Sequence, residues 1–260
     1  MLSRLRWLGL ETAAPETTRA FYDPLIPDRV DEVDPAVAAL GDVETDATNE
    51  NERGGTTRAA DGEALVYRVG GGDPATRLVL RRPRSVPRGG LHTHYALSVP
   101  REEYDDWRAH LAADHPVAEH DFGSMRSLYV SDPDGNCVEL AGVDVDGPGV
   151  DGVFEVVLEV RDLRRARAFY ETWGYGVVDE GADRLRLSGP GATPDLELWE
   201  PRLGIADARG GVHVDLGVGT PDPAAAASTV RDRARLVERH GETRRVVDPD
   251  GHHVTLVAEG

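Results

Sequence analysis

SLYVSDPDGNCVEL, residues 127–140, decides how the rest of the chain is read. Asp132-Pro133-Asp134-Gly135 suits a type I turn: Pro takes the second position and Gly supplies positive φ at the end. A three-residue hairpin with a bulge follows. Its register pairs Asp132 with Asn136, Val130 with Val138 and Leu128 with Leu140. Tyr129 then stands opposite Glu139 on the other face of the ribbon. Two apolar pairs on one face and a Tyr–Glu pair on the other imply one buried face and a second face that either carries a polar site or is wet.

The motif is repeated. SDPDGNCVELA (131–141) is echoed by VDPDGHHVTLV (247–257), ETTRAFYDPL (16–25) by RRARAFYETW (164–173), and GGLHTHYALSVP (89–100) by RGGVHVDLGVGTP (209–221). The order is the same in both halves, so each half holds two units that open with a strand and a helix. In the third unit VFEVVLEV (153–160) is a strand and Asp162 caps a helix to about Thr172. YGVVDE, DRLRLS and DLELWE are three further strands, giving β-α-β-β-β. The second unit has a helix from about Arg101 to Ala113. The fourth is expected to carry a long helix from Pro223 to His240. The expected domains are 1–143, with a polar insertion near 28–62, and 152–260, joined by VDVDGPGVDG.

The chain has 260 residues, a net charge of −18, and 29 basic residues, every one of them Arg. Such acidity resembles proteins of halophilic archaea and gives a hydrated, self-repelling surface. No basic stripe is available for phosphates, which argues against nucleic acid as a partner. The single cysteine, Cys137, excludes an internal disulfide. No apolar run has membrane-spanning length, and the N-terminus lacks a signal-peptide core. A cytoplasmic location without membrane contact is the expectation.

Four such units, with AFY in the helix and DPDGNxxEL at the end, resemble the vicinal-oxygen-chelate superfamily. It includes glyoxalases, extradiol dioxygenases and bleomycin-type resistance proteins. The resemblance covers nearly the whole chain outside the insertion. It implies an α+β fold in which four βαβββ units pair into two domains with cupped mixed sheets. The run from GGLHTHYALSVP to DPDGNCVELAG is most similar to two-domain catechol 2,3-dioxygenase-like proteins.

By strand parity His92, His94, Ala96 and Ser98 share a face, as do Cys137, Glu139 and Ala141. The resemblance makes His94 and Glu139 the first-choice metal ligands. It makes Tyr129 an acid/base or hydrogen-bond donor, and His120 a residue beside the oxygen site. The family's first ligand lies fourteen residues before the Phe of AFY. In the first half this slot holds Trp7, which cannot ligate; with His92 it is expected in the substrate pocket. In the second half the slot holds Glu155, and Glu197 matches a glutamate ligand of glyoxalases. His213 is matched to His94, while Thr255 replaces the final Glu and Arg245 the Tyr. Glu155, Glu197 and His213 form the second-choice metal set. If units one and two pair, Trp7 faces His94 and Glu139. If units two and three pair, His94, Glu139, Glu155 and Glu197 share one cup.

The resemblance implies Fe(II)- or Mn(II)-dependent extradiol cleavage of a small aromatic diol. The alternatives are glyoxalase-like isomerase or lyase chemistry and a metal-free small-molecule binding protein. A homodimer is left open.

Overall fold

A computed structural model describes residues 1–30, 64–72, 75–82, 92–201 and 214–259. The insertion therefore falls almost wholly outside the described residues, as does His213. Unit one contributes β1 (Arg4–Glu11), α1 (Pro15–Leu25), β2 (Ala64–Val69) and β3 (Thr76–Arg81). Unit two runs β4 (His92–Pro100), a 3₁₀ turn, α2 (Tyr104–Asp114), β5 (Val117–Asp121), β6 (Arg126–Ser131) and β7 (Cys137–Val143). Unit three is β8 (Gly152–Glu159), α3 (Leu163–Glu171), β9 (Gly176–Glu180), β10 (Arg184–Ser188) and β11 (Asp195–Trp199). Unit four is β12 (Asp215–Thr220), α4 (Pro223–Val230), β13 (Leu236–His240), β14 (Thr243–Val247) and β15 (His253–Ala258).

The strands form two mixed sheets. One has the order β5-β6-β7-β4-β8-β11-β10-β9 and joins units two and three; the other, β13-β14-β15-β12-β1-β3-β2, joins units four and one. Each sheet thus draws strands from both 1–143 and 152–260. The joins are antiparallel pairs, β4 with β8 and β1 with β12. The architecture is α+β, four β-α-β units in two cupped sheets, which is the vicinal-oxygen-chelate fold.

Each helix covers its sheet with a stripe at helical spacing. Thr18, Phe21, Tyr22 and Leu25 of α1 are buried, as are Ala166, Phe169 and Tyr170 of α3. Asp162 caps α3 by accepting from Arg165 N–H at 3.1 Å, and Asp222 caps α4 through Ala225 N–H at 2.9 Å. The helix expected to reach His240 ends at Val230. Residues 236–240 instead pair with β14, Leu236 opposite Val247 and His240 opposite Thr243. Ala, Leu and Arg are good helix formers, but propensity is a weak prior beside tertiary context, and the unmet backbone groups of β14 outweigh it.

The AFY and DPDG repeats meet in space. Tyr22 donates to Asp132 Oδ2 and Tyr170 to Asp248 Oδ2, each at 2.9 Å. The other oxygen of each aspartate closes its own turn. Asp132 Oδ1 accepts from the N–H of Asp134 and Asn136, and Asp248 Oδ1 from those of Asp250, Gly251 and His252. Because units one and two lie in different sheets, as do units three and four, these bonds tie the sheets together. Gly135 and Gly251 take the positive φ, 86° and 109°, that the turns demand.

Candidate metal centre

The hairpin has the register read from its sequence: Val130 opposite Val138, Leu128 opposite Leu140 and Tyr129 opposite Glu139. Leu128, Val130, Val138 and Leu140 are buried. On the other face, Ala96 of β4 lies between Glu139 of β7 and Glu155 of β8, paired with each. His94 sits two residues back on the same face. The small Ala96 side chain leaves space in which all three longer side chains converge.

His94 Nε2 is 3.2 Å from Glu139 Oε2 and 3.9 Å from Glu155 Oε1. One donor atom from each residue lies within 4.8 Å of the others. Both carboxylates are buried, Glu139 at 2% and Glu155 at 6% exposure. Burial works against charge on His94, yet contacts with Glu139 and Glu155 outweigh it and raise its pKa to about 9. The metal-free site therefore holds a proton between two carboxylates, where a cation would sit. Glu155 Oε2 is 3.1 Å from Arg186 Nη2 but makes no well-aligned hydrogen bond. One imidazole and two buried carboxylates fit a divalent first-row metal.

Around this centre lies a cavity of about 810 Å³. Tyr129 lines it, opposite Glu139 on the neighbouring strand; burial, then that carboxylate, push its phenol well above the usual range, so it stays protonated. Its ring meets His94 edge-on at 5.6 Å and His120 at 5.4 Å. Glu197 lines the cavity too, accepting from Trp199 Nε1 at 2.7 Å and Arg184 Nη1 at 3.3 Å. Burial and the charge of Glu155 raise its pKa. Burial and Glu139 push the Cys137 thiol up to about 11, which keeps it un-ionised and a poor ligand.

The eight-stranded sheet thus gathers His94, Glu139, Tyr129 and His120 with Glu155 and Glu197, residues the sequence had divided between two candidate sites. One other assignment changes. Trp7 does not face His94: it lies in the seven-stranded sheet, 1% exposed, opposite Gly217. Glu155 takes the first-strand position in the cup of His94. His213 lies outside the described residues; at the place of His94 the other sheet has Asp215, which pairs with His253 as His94 pairs with Cys137, and Gly217 pairs with Thr255 as Ala96 pairs with Glu139. Of His92 only the backbone, at the start of β4, is described. The arginines of the cavity, Arg184 and Arg186, were missed; their signal was alternation with Leu185 and Leu187 on a strand beside Glu197.

A family model for a glyoxalase-like domain matches residues 155–257. No curated protein matches the chain. Among solved structures, a candidate dioxygenase from Bacillus subtilis is similar with a TM-score of 0.69 at 14% identity, over 99% of this chain and 85% of its own. Glyoxalase I from Zea mays gives 0.64 at 18% identity, over 98% and 92%. The cppA protein from Streptococcus pneumoniae gives 0.54 at 8%, over the full length of both. At these identities the likeness is one of fold.

Proposed function

We propose that the chain is a divalent-metal-dependent enzyme that moves a proton on a small molecule with two adjacent oxygens, such as an α-hydroxy carbonyl compound. This is isomerase or lyase chemistry of the glyoxalase kind. The observation that carries the reading is the convergence of His94, Glu139 and Glu155 at the floor of a cavity whose wall presents Glu197. Those three residues would hold Mn(II) or Fe(II), and an oxygen-rich donor set suits Mn(II) of the two. When bound, the cation supplies charge that acidifies a C–H beside a carbonyl.

The remaining work falls to the chain's own groups. Glu197, made more basic by burial and by Glu155, accepts the carbon-bound proton and returns it to the neighbouring carbon, while the hydroxyl proton passes to the former carbonyl oxygen, so that hydroxyl and carbonyl exchange places. Trp199 and Arg184 hold its carboxylate in place. Tyr129 keeps its proton and donates a hydrogen bond to the oxygen on which charge develops.

Extradiol ring cleavage of a catechol is the second reading, favoured by the Tyr129–His120 contact at the cavity. Non-haem Fe(II) oxygenases use two histidines and one carboxylate; among the described side chains this centre has one histidine and two carboxylates, which favours proton transfer. Incubating Mn(II)-loaded protein with an α-hydroxyketone in D₂O tests the choice. Exchange at the hydroxyl-bearing carbon, lost in Glu197→Gln, is expected. Oxygen uptake with catechol and no such exchange would select ring cleavage instead.

A further inference from the structure

The rim of the cavity carries an apolar side chain that the metal chemistry leaves unused. Phe122 is 55% exposed in a chain that buries most of its large apolar residues. Its position is fixed by the β5–β6 hairpin. Phe122 N–H donates to Met125 O at 2.9 Å, and Gly123 N–H to Asp121 Oδ1 at 2.7 Å, with Gly123 at a φ of 80°. The Phe122 ring stacks on His120 at 6.2 Å with planes 29° apart, and Met125, Ala118 and Trp199 continue the apolar wall.

Charge narrows the occupant. Arg184 is engaged by Asp179 at 2.6 Å and Glu197 at 3.3 Å, and Arg186 by Asp195 at 2.9 Å and Glu155 at 3.1 Å. Among the described lining residues no Arg is left for an anionic substrate, while Asp179, Glu139, Glu155 and Glu197 all line the cavity. The volume, about 810 Å³, far exceeds what a three-carbon compound fills.

We infer that the substrate is an uncharged molecule with oxygens on two adjacent carbons and an aryl or similarly flat apolar substituent on one of those carbons, and that Phe122 selects it by stacking. The inference rests on the metal reading above for the position of the oxygens, but its test separates the two. The probes are α-hydroxyacetophenone and hydroxyacetone, which share the hydroxyketone and differ in phenyl against methyl, and the anionic hydroxypyruvate. Titration calorimetry would use the metal-free and the Mn(II)-loaded protein. The aryl probe is expected to bind at least about tenfold more tightly than hydroxyacetone, and hydroxypyruvate the least tightly of the three. Phe122→Ala should remove most of that gap without changing metal content, and Phe122→Tyr should keep it. Equal affinity for the two ketones, tighter binding of the anion, or a gap unchanged in Phe122→Ala would overturn the inference. A Phe122-dependent gap in a protein that binds no metal would keep the inference and remove the metal reading.

Discussion

The Trp7 indole lies flat against Gly217, so close that a Cβ on that glycine would sit 2.0 Å from Cδ2 of the ring. Trp7 and Gly217 occupy the positions that Glu155 and Ala96 hold in the other sheet. In the seven-stranded sheet, the counterpart of the space where His94, Glu139 and Glu155 meet is therefore filled by the Trp7 side chain. Thr255 there bonds Asp215 at 3.1 Å, and Arg245 stands where Tyr129 stands. One sheet keeps an open cavity beside His94, and at the matching place in the other sheet Trp7 is packed against Gly217.

Gly217→Ala should accordingly destabilise the fold by about 1–3 kcal/mol, the usual cost of overpacking a tight site. Urea unfolding would measure it, with metal content unchanged. Trp7→His should add nothing to metal affinity at the centre of His94, because the two residues belong to different sheets. Wild-type stability in Gly217→Ala would show that the indole moves aside freely.

The Tyr22–Asp132 and Tyr170–Asp248 bonds give a second expectation. Tyr22→Phe and Tyr170→Phe each leave a buried carboxylate oxygen short of a donor, at a cost of about 1–3 kcal/mol. Thermal unfolding of both variants, compared with the solvent-facing Thr172→Ala, checks this. A loss no larger than that of Thr172→Ala would mean the bonds contribute nothing.

Much of this was legible in local sequence. The turn chemistry of DPDG gave the pairing of Tyr129 with Glu139, and the repeats gave four units, each opening with a strand and a helix. What was not legible was long-range. Nothing local in HTHYALS or GVFEVVL says that β4 pairs with β8, because either strand could close several partners with the same alternation. That pairing decides whether Glu155 or Trp7 faces His94. The tyrosine of AFY reads as a core aromatic at helical spacing, and its hydroxyl partner 110 residues away leaves no sequence signal. The end of α4 at Val230 was missed for a related reason: the edge of β14, not propensity, makes residues 236–240 a strand.

The His94 cluster sets a pH dependence. The folded metal-free protein holds the His94 pKa at about 9, above the unfolded value of 6.5. That stabilisation is fully present below pH 6.5 and is lost as pH rises through 9, up to about 3 kcal/mol. Over the same range metal binding must displace the His94 proton. Affinity should therefore climb with pH, by up to about tenfold per unit below 9, and level off above it. Denaturation and titration calorimetry from pH 6 to 10 would follow both. A metal-free stability that rises between 6.5 and 9 would mean that His94 is not held as the cation.

Salt is the next lever. With a net charge of −18, carboxylate repulsion acts across the molecule at low ionic strength, where the Debye length is about 30 Å at 0.01 M. The melting temperature should rise steeply with KCl. A flat profile would show that pairs such as Arg184–Asp179 already balance the surface.

The most direct test of the metal centre is to count metal. Protein dialysed against Mn(II) in high salt and analysed for metal should hold one ion per chain. Glu139→Gln should weaken binding by about 100-fold or more, since it removes a charged donor from the cluster. Thr255→Ala, at the matching position of the closed cup, should still hold one ion. No ion in the parent, or equal loss from both variants, would contradict a metal centre built on His94, Glu139 and Glu155.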